Sequence, residues 1–252
     1  MSESVAHLQD EKLLEKLVED LVAMMRGGRL SDAMAVVEAH ADPRAMAAAL
    51  GSAVKTMYRR HHDVTRMIVA GEIGLAYCLR QAARAADDDT ARQLKQTGRA
   101  IAFNTAANCW PGWGDAGIVI ERAHIAAGLQ LAIESRALVQ ELGLAPRAQG
   151  TAHWLVGALE LAAGRLDAAY AAFAQAEQVA LAADATSSDA LAASALMARG
   201  YMALARKADP QSCAEGADRL GEIVGRLRAA GSKEALFFAD QLATADRVLL
   251  GT

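Results

Sequence analysis

The sequence predicts an all-α protein, and three observations carry that reading. Apolar residues fill 53% of the 252 positions while aromatics supply 4%, so any core is built from Ala, Leu, Val and Met, which suit helices better than pleated sheets. The chain has 4 prolines, too few to interrupt many long elements. Along most of its length apolar residues recur at spacings of three and four, the period of one helical face.

Taken in order, the first helix is expected from about residue 3 to 26, with Leu14, Leu17, Val18, Leu21 and Met25 on one face and Gly27 and Gly28 ending it. A short helix over 31–40 follows. Asp42 and Pro43 open the next, since proline in a first turn lacks only an amide that would have no partner. That helix ends in Arg59, Arg60, His61 and His62, read either as an anion or metal cluster or as cations complementing a helix C-terminus. A further helix over 63–85 carries Glu72 among Met67, Ile68, Leu75, Cys78 and Leu79; Glu72 is either a proton-transfer group or an ion-pair partner of Arg66 or Arg80. Asp87, Asp88 and Asp89 lack the spaced ligands and central glycine of a calcium loop and read as caps for a helix over 90–109.

Trp110, Pro111, Gly112, Trp113, Gly114 and Asp115 form the most unusual turn, holding two of the three tryptophans. A long helix is expected from 116 to 142. It contains Glu121 and His124, one Glu-x-x-His spacing where helical di-iron sites need two with further glutamates, so no metal is assigned.

The strongest pattern is Thr151 to Ala180, TAHWLVGALELAAGRLDAAYAAFAQAEQVA. Trp154, Val156 and Gly157 are followed by Gly164, Leu166, Asp167 and Ala169, then by Phe173 and Ala176. Gly157 admits a second helix where a side chain would collide, Gly164 closes the first helix, and Asp167 sits in the opening turn of the second. Ala169 and Ala176 alternate with Phe173 so that two helices interlock. This stretch resembles a tetratricopeptide repeat, with 150–180 the best-matching unit. Arg29 to Ala33 echoes Arg165 to Ala169.

After 180, a polar break over 183–189 offers Ser187 and Ser188 as caps. Helices over 189–207 and 211–229 follow, and a last one over 233–250 packs through Leu236, Phe237, Ala239, Leu242 and Val248 with Asp240, Asp246 and Arg247 facing out. The segments make roughly eleven helices in five pairs with a C-terminal capping helix. The resemblance implies a right-handed superhelix of antiparallel helix pairs over a single domain, 1–252, with repeat intervals mostly longer than the usual ~34 residues. A non-repeat helical bundle is the alternative.

A net charge of -4 without a basic stripe argues against nucleic acid and anionic membranes. The N-terminus is charged rather than apolar, and no run approaches the roughly 18 apolar residues of a membrane span, so a soluble cytoplasmic protein is expected. Cys78, Cys109 and Cys213 read as buried free thiols.

Catalytic motifs are missing: no Gly-x-Ser-x-Gly elbow, phosphate loop, His-Glu-x-x-His or Cys-x-x-Cys occurs. Only His153 with Cys78 or Cys109 offers a base and a nucleophile. A non-catalytic scaffold for a protein or peptide partner, without cofactor, is therefore expected, with homo-oligomerisation through Ala-rich faces a further option. The resemblance implies a groove lined by first helices, here Thr151, Trp154, Ala158 and Leu161. Arg99, Asn104 and Asn108 are similar to the basic and Asn residues with which some family members hold a terminal carboxylate. Trp110, Trp113 and Trp154 are either partner contacts or core anchors, readings that differ in exposure. The alternative function is a small-molecule or signal-peptide sensor with an enclosed helical pocket.

Overall fold

The computed structural model describes residues 2–184 and 189–251. Among them are eleven α-helices and no strand: α1 (Ser2–Arg26), α2 (Leu30–Ala39), α3 (Pro43–His61), α4 (Val64–Arg84), α5 (Asp88–Ala107), α6 (Arg122–Glu141), α7 (Pro146–Ala162), α8 (Leu166–Asp184), α9 (Asp189–Ala208), α10 (Cys213–Ala230) and α11 (Lys233–Leu250), with a 3-10 turn at Pro111–Trp113. Where the sequence reading takes one domain, contacts group into two compact units, residues 1–105 and 106–252. Neighbouring helices in the chain pack on one another, among them α3 on α4 and each successive pair from α6 to α11.

In the first unit the caps follow the sequence. The Asp42 carboxylate accepts from the Arg44 and Ala45 amides at the start of α3, Asp63 accepts from the Arg66 amide at the start of α4, and Asp87 accepts from the Thr90 amide and hydroxyl. Arg59 and Arg60 stand in the last turn of α3, where cations complement the dipole, together with His61. Met46, Leu50, Met57, Met67 and Tyr77 are fully buried. A Cβ on Gly71 would fall 2.2 Å from the Thr105 hydroxyl and one on Gly98 2.9 Å from Cys78 Cβ, so glycines set how closely α4 and α5 approach.

The second unit contains the strong repeat. Phe173 is fully buried against Gly157, where a Cβ would come within 2.7 Å of its ring, and Gly164 closes α7 at φ 74°. The same device recurs twice: a Cβ on Gly200 would strike Leu242, and one on Gly216 would lie 2.2 Å from the Lys207 backbone nitrogen.

Several expectations are corrected. The helix expected from 116 starts only at Arg122, because Gly114 and Gly117 adopt left-handed φ and the chain between them is exposed. On α11 the buried face is Ala235, Ala239, Leu242 and Ala245, while Leu236, Phe237 and Val248 are exposed and Asp246 turns inward to Lys207. The supposed partners of Glu72 are engaged elsewhere, Arg66 with Asp63 and Arg80 with Glu38, and Glu72 is exposed. Cys213 is exposed at the start of α10, in a first turn that meets α9 through Gly216 rather than through the cysteine. Ser187 and Ser188 lie outside the described residues.

Candidate functional site

The three tryptophans singled out in the sequence converge on an aromatic cluster. Trp110 is fully buried with its ring centroid 6.2 Å from Tyr201, and Trp154 is 5.6 Å from Tyr201 and 5.8 Å from Trp113. Phe173 stacks on Tyr201 at 5.1 Å. The turn that carries Trp110 and Trp113 is held by the Trp113 indole N–H, which donates to the Ala107 carbonyl at 2.7 Å. It also packs against α11, where Gly114 faces Thr244 and Val248. Trp154 is therefore buried against Trp113 of the turn and Tyr201 of α9, Ala158 and Leu161 are buried as well, and Thr151 spends its hydroxyl on the Arg147 carbonyl. Exposure, the property that separates the two readings of the tryptophans, favours core anchors for Trp110 and Trp154, while Trp113 is half-buried.

Arg99 and Asn104 belong to the first unit and Asn108 to the second, and all three are half-buried. Burial lowers the Arg99 pKa below its usual value.

The catalytic alternatives lose their reactive groups. Burial pushes the Cys78 and Cys109 thiols up to about 12, leaving neither with thiolate character near neutral pH. Burial, and then the Arg136 charge, lowers His153, whose Nδ1 is buried without a hydrogen bond. The Glu121–His124 pair is spent locally: the Glu121 amide donates to His124 Nδ1 at 3.1 Å, closing the first turn of α6. Among the described residues no group of three or more His, Cys, Asp or Glu side chains could hold a metal ion.

One feature of the first unit was not found by sequence. A groove of about 570 Å³ runs between α1 and α3, with Leu14, Val18 and Val22 flanked by Glu15 and Glu19 along its α1 wall, and Arg26, Arg60 and His61 gathered at one end. The opposite wall is small and polar, from Ser52 and Thr56. Burial first, then the Arg26 and Arg60 charges, hold His61 below 6.5. At neutral pH the imidazole is thus uncharged and presents one donor and one acceptor beside two fixed cations. The volume is in the range of small-ligand and peptide side-chain sites. The helix spacings alone pointed to one apolar face per helix. What they did not show is that Leu14 and Val18 are left half-buried while Val22, one turn on, is buried. No helix among the described residues is long and apolar enough to cross a membrane. No family model and no curated protein matches this sequence.

Proposed function

We propose that this chain is a non-catalytic, tetratricopeptide-like scaffold that binds a peptide segment of a partner protein, with the α1–α3 groove as the binding site. The groove carries the reading: an apolar wall from Leu14, Val18 and Val22 takes side chains of the segment, and Arg26, Arg60 and His61 receive a carboxylate at one end. The glycine-mediated helix contacts at Gly157, Gly200 and Gly216 support the repeat-like scaffold. A peptide-display selection on the full chain tests it. Enriched peptides are expected to be apolar and to end in an acidic or free C-terminal group, and to lose about tenfold in affinity in Arg60→Glu, one charge pair of roughly 1.4 kcal/mol. Enrichment that survives unchanged in both Arg60→Glu and Val18→Asp, with both variants folded by circular dichroism, removes the groove from the account.

A second reading, a sensor with an enclosed pocket, draws on the aromatic cluster. Trp110 Nε1, Trp154 Nε1, the Tyr201 hydroxyl and Gln241 Oε1 are buried without a hydrogen-bond partner. Burial raises the Tyr201 pKa; Trp154 and Gln241 lie near enough to offset part of that rise, yet neither reaches hydrogen-bond geometry. A small polar molecule there would satisfy donors and acceptor together. Native mass spectrometry that finds only the bare chain mass, in protein purified without unfolding, counts against this reading.

A further inference from the structure

A different surface, on the second unit, carries a charge pattern with a definite period. A cleft of about 300 Å³ lies among α8, α9 and α10. Arg199 and Arg206 enter it from α9 and Arg219 and Arg226 from α10, each pair seven residues apart. Seven residues of α-helix rise about 10.5 Å over two turns, so each helix presents two guanidinium groups on one face. Between them, at the intervening turn, stand Met202 and Ala203 on α9 and Ile223 on α10, which form an apolar floor.

The four arginines are not equivalent. Arg199 is tied back to Glu177, and Arg206 is tied to Glu215 and lies with its guanidinium carbon 5.4 Å from the centre of the Tyr170 ring. Arg219 and Arg226 are exposed and form no ion pair with any described residue. Glu222, also exposed, sits on the same face between them. In a chain of net charge -4, the positive charge left over on this cleft is that of Arg219 and Arg226, seven residues apart beside the apolar floor, with the single carboxylate of Glu222 between them.

The geometry points to a docking site for an acidic amphipathic helix of a partner protein, one with carboxylates seven residues apart and apolar residues between them. The register is the argument. A helix laid along α10 repeats every ~10.5 Å as α10 does, so acids at its first and eighth positions meet Arg219 and Arg226 while apolar residues at its fourth and fifth reach Met202 and Ile223. Glu222 disfavours an uninterrupted acidic run and selects a neutral or basic residue at the middle of the partner. An extended peptide, whose same-face side chains repeat every ~6.8 Å, does not match both arginines with consecutive same-face acids. A nucleic-acid strand, with closely spaced phosphates and no apolar stripe, leaves the floor unused and meets Glu222 with like charge.

The test is fluorescence anisotropy of the full chain with a labelled, helix-favouring peptide of about five turns, bearing Glu at the first and eighth positions and Leu at the fourth and fifth. Comparison ligands are the same residues in scrambled order and a single-stranded oligonucleotide of equal charge. The patterned peptide is expected to bind at least about tenfold more tightly than the scrambled one. It should lose at least about tenfold in Arg219→Glu/Arg226→Glu, and weaken between about 50 and 200 mM salt. Because both arginines are exposed the variant should fold, and Arg219→Gln/Arg226→Gln gives a second, milder comparison, each checked by circular dichroism. Equal binding of the scrambled peptide, binding unchanged in both variants, no binding of either peptide, or preference for the oligonucleotide overturns the proposal. None of these results bears on the α1–α3 groove.

Discussion

Lys207 Nζ stands 2.8 Å from both carboxylate oxygens of Asp246, with only 14% and 20% of the two side chains exposed. The pair joins the last turn of α9 to α11 on an otherwise alanine- and leucine-rich contact. Charges this far from water cost desolvation energy that the partner offsets, so removing one partner strands the other. All three tryptophans lie in the second unit, so a urea melt followed by tryptophan fluorescence reports on that unit. Asp246→Asn is expected to lower its stability by about 2 kcal/mol, while Lys207→Met/Asp246→Leu loses less because no charge is left unpaired. Equal losses for the single and double variants would show that packing, not charge, holds the two helices together.

Glycines along α10 separate close approach from simple exposure. A Cβ on Gly216 meets the Lys207 backbone, which cannot move aside without displacing α9, whereas Gly221 and Gly225 have nothing within 4 Å. Gly216→Ala should therefore destabilise the second unit by at least about 2 kcal/mol through overpacking. Gly221→Ala and Gly225→Ala should each stabilise it by about 0.5–1 kcal/mol through helix propensity alone. The same melts decide it, and a stabilising Gly216→Ala would mean that α9 and α10 sit farther apart than described.

That contrast shows what the sequence could and could not convey. Gly157 facing Phe173 was legible because both residues belong to one repeat pattern with fixed spacing, and Gly164 because a helix-ending glycine has a local cause. Gly216 was not, since the atoms that crowd it belong to another helix and leave no periodic mark. The start of α6 was misjudged for a related reason: Asp115 and Ala116 read as a helix opening, but Gly114 and Gly117 take left-handed φ and carry the chain across to α11 first. Trp154 and Leu161 were assigned to a groove from the pattern of one repeat. Both are buried, and Trp154 is met by Trp113 of a turn some 40 positions away in the chain, a distance at which local spacing carries no information. The α1–α3 groove and the α9–α10 arginines depend in the same way on which faces remain uncovered after packing.

Thiol chemistry separates the three cysteines. Cys78 and Cys109 are buried with their thiols held up at about 12, while Cys213 is exposed. Thiolate, not thiol, attacks a disulfide reagent, so Cys213 alone should react with Ellman's reagent in the native protein, and all three after unfolding. Rapid native titration of more than one thiol would show that the α4–α5 contact or the turn below α6 opens readily. Cys213→Ser should abolish the fast phase without lowering stability.

His153 links the second unit's stability to pH. Burial first, and Arg136 second, hold its pKa below the ordinary 6.5. The unfolded chain therefore takes up the proton before the folded one does, and between those two values the unfolded state binds more protons. The contribution of neutral His153 is fully present above about 6.5 and is lost as pH falls toward the folded value. Urea midpoints read by tryptophan fluorescence should fall between about pH 7.5 and 5.5, and His153→Gln, which keeps a polar side chain but cannot take up that proton, should flatten the slope over the same interval. His61 is also depressed, but it lies in the first unit, away from the tryptophans that supply the signal. A slope unchanged in His153→Gln would place the proton uptake on another group and leave the Arg136 neighbourhood without a role in it.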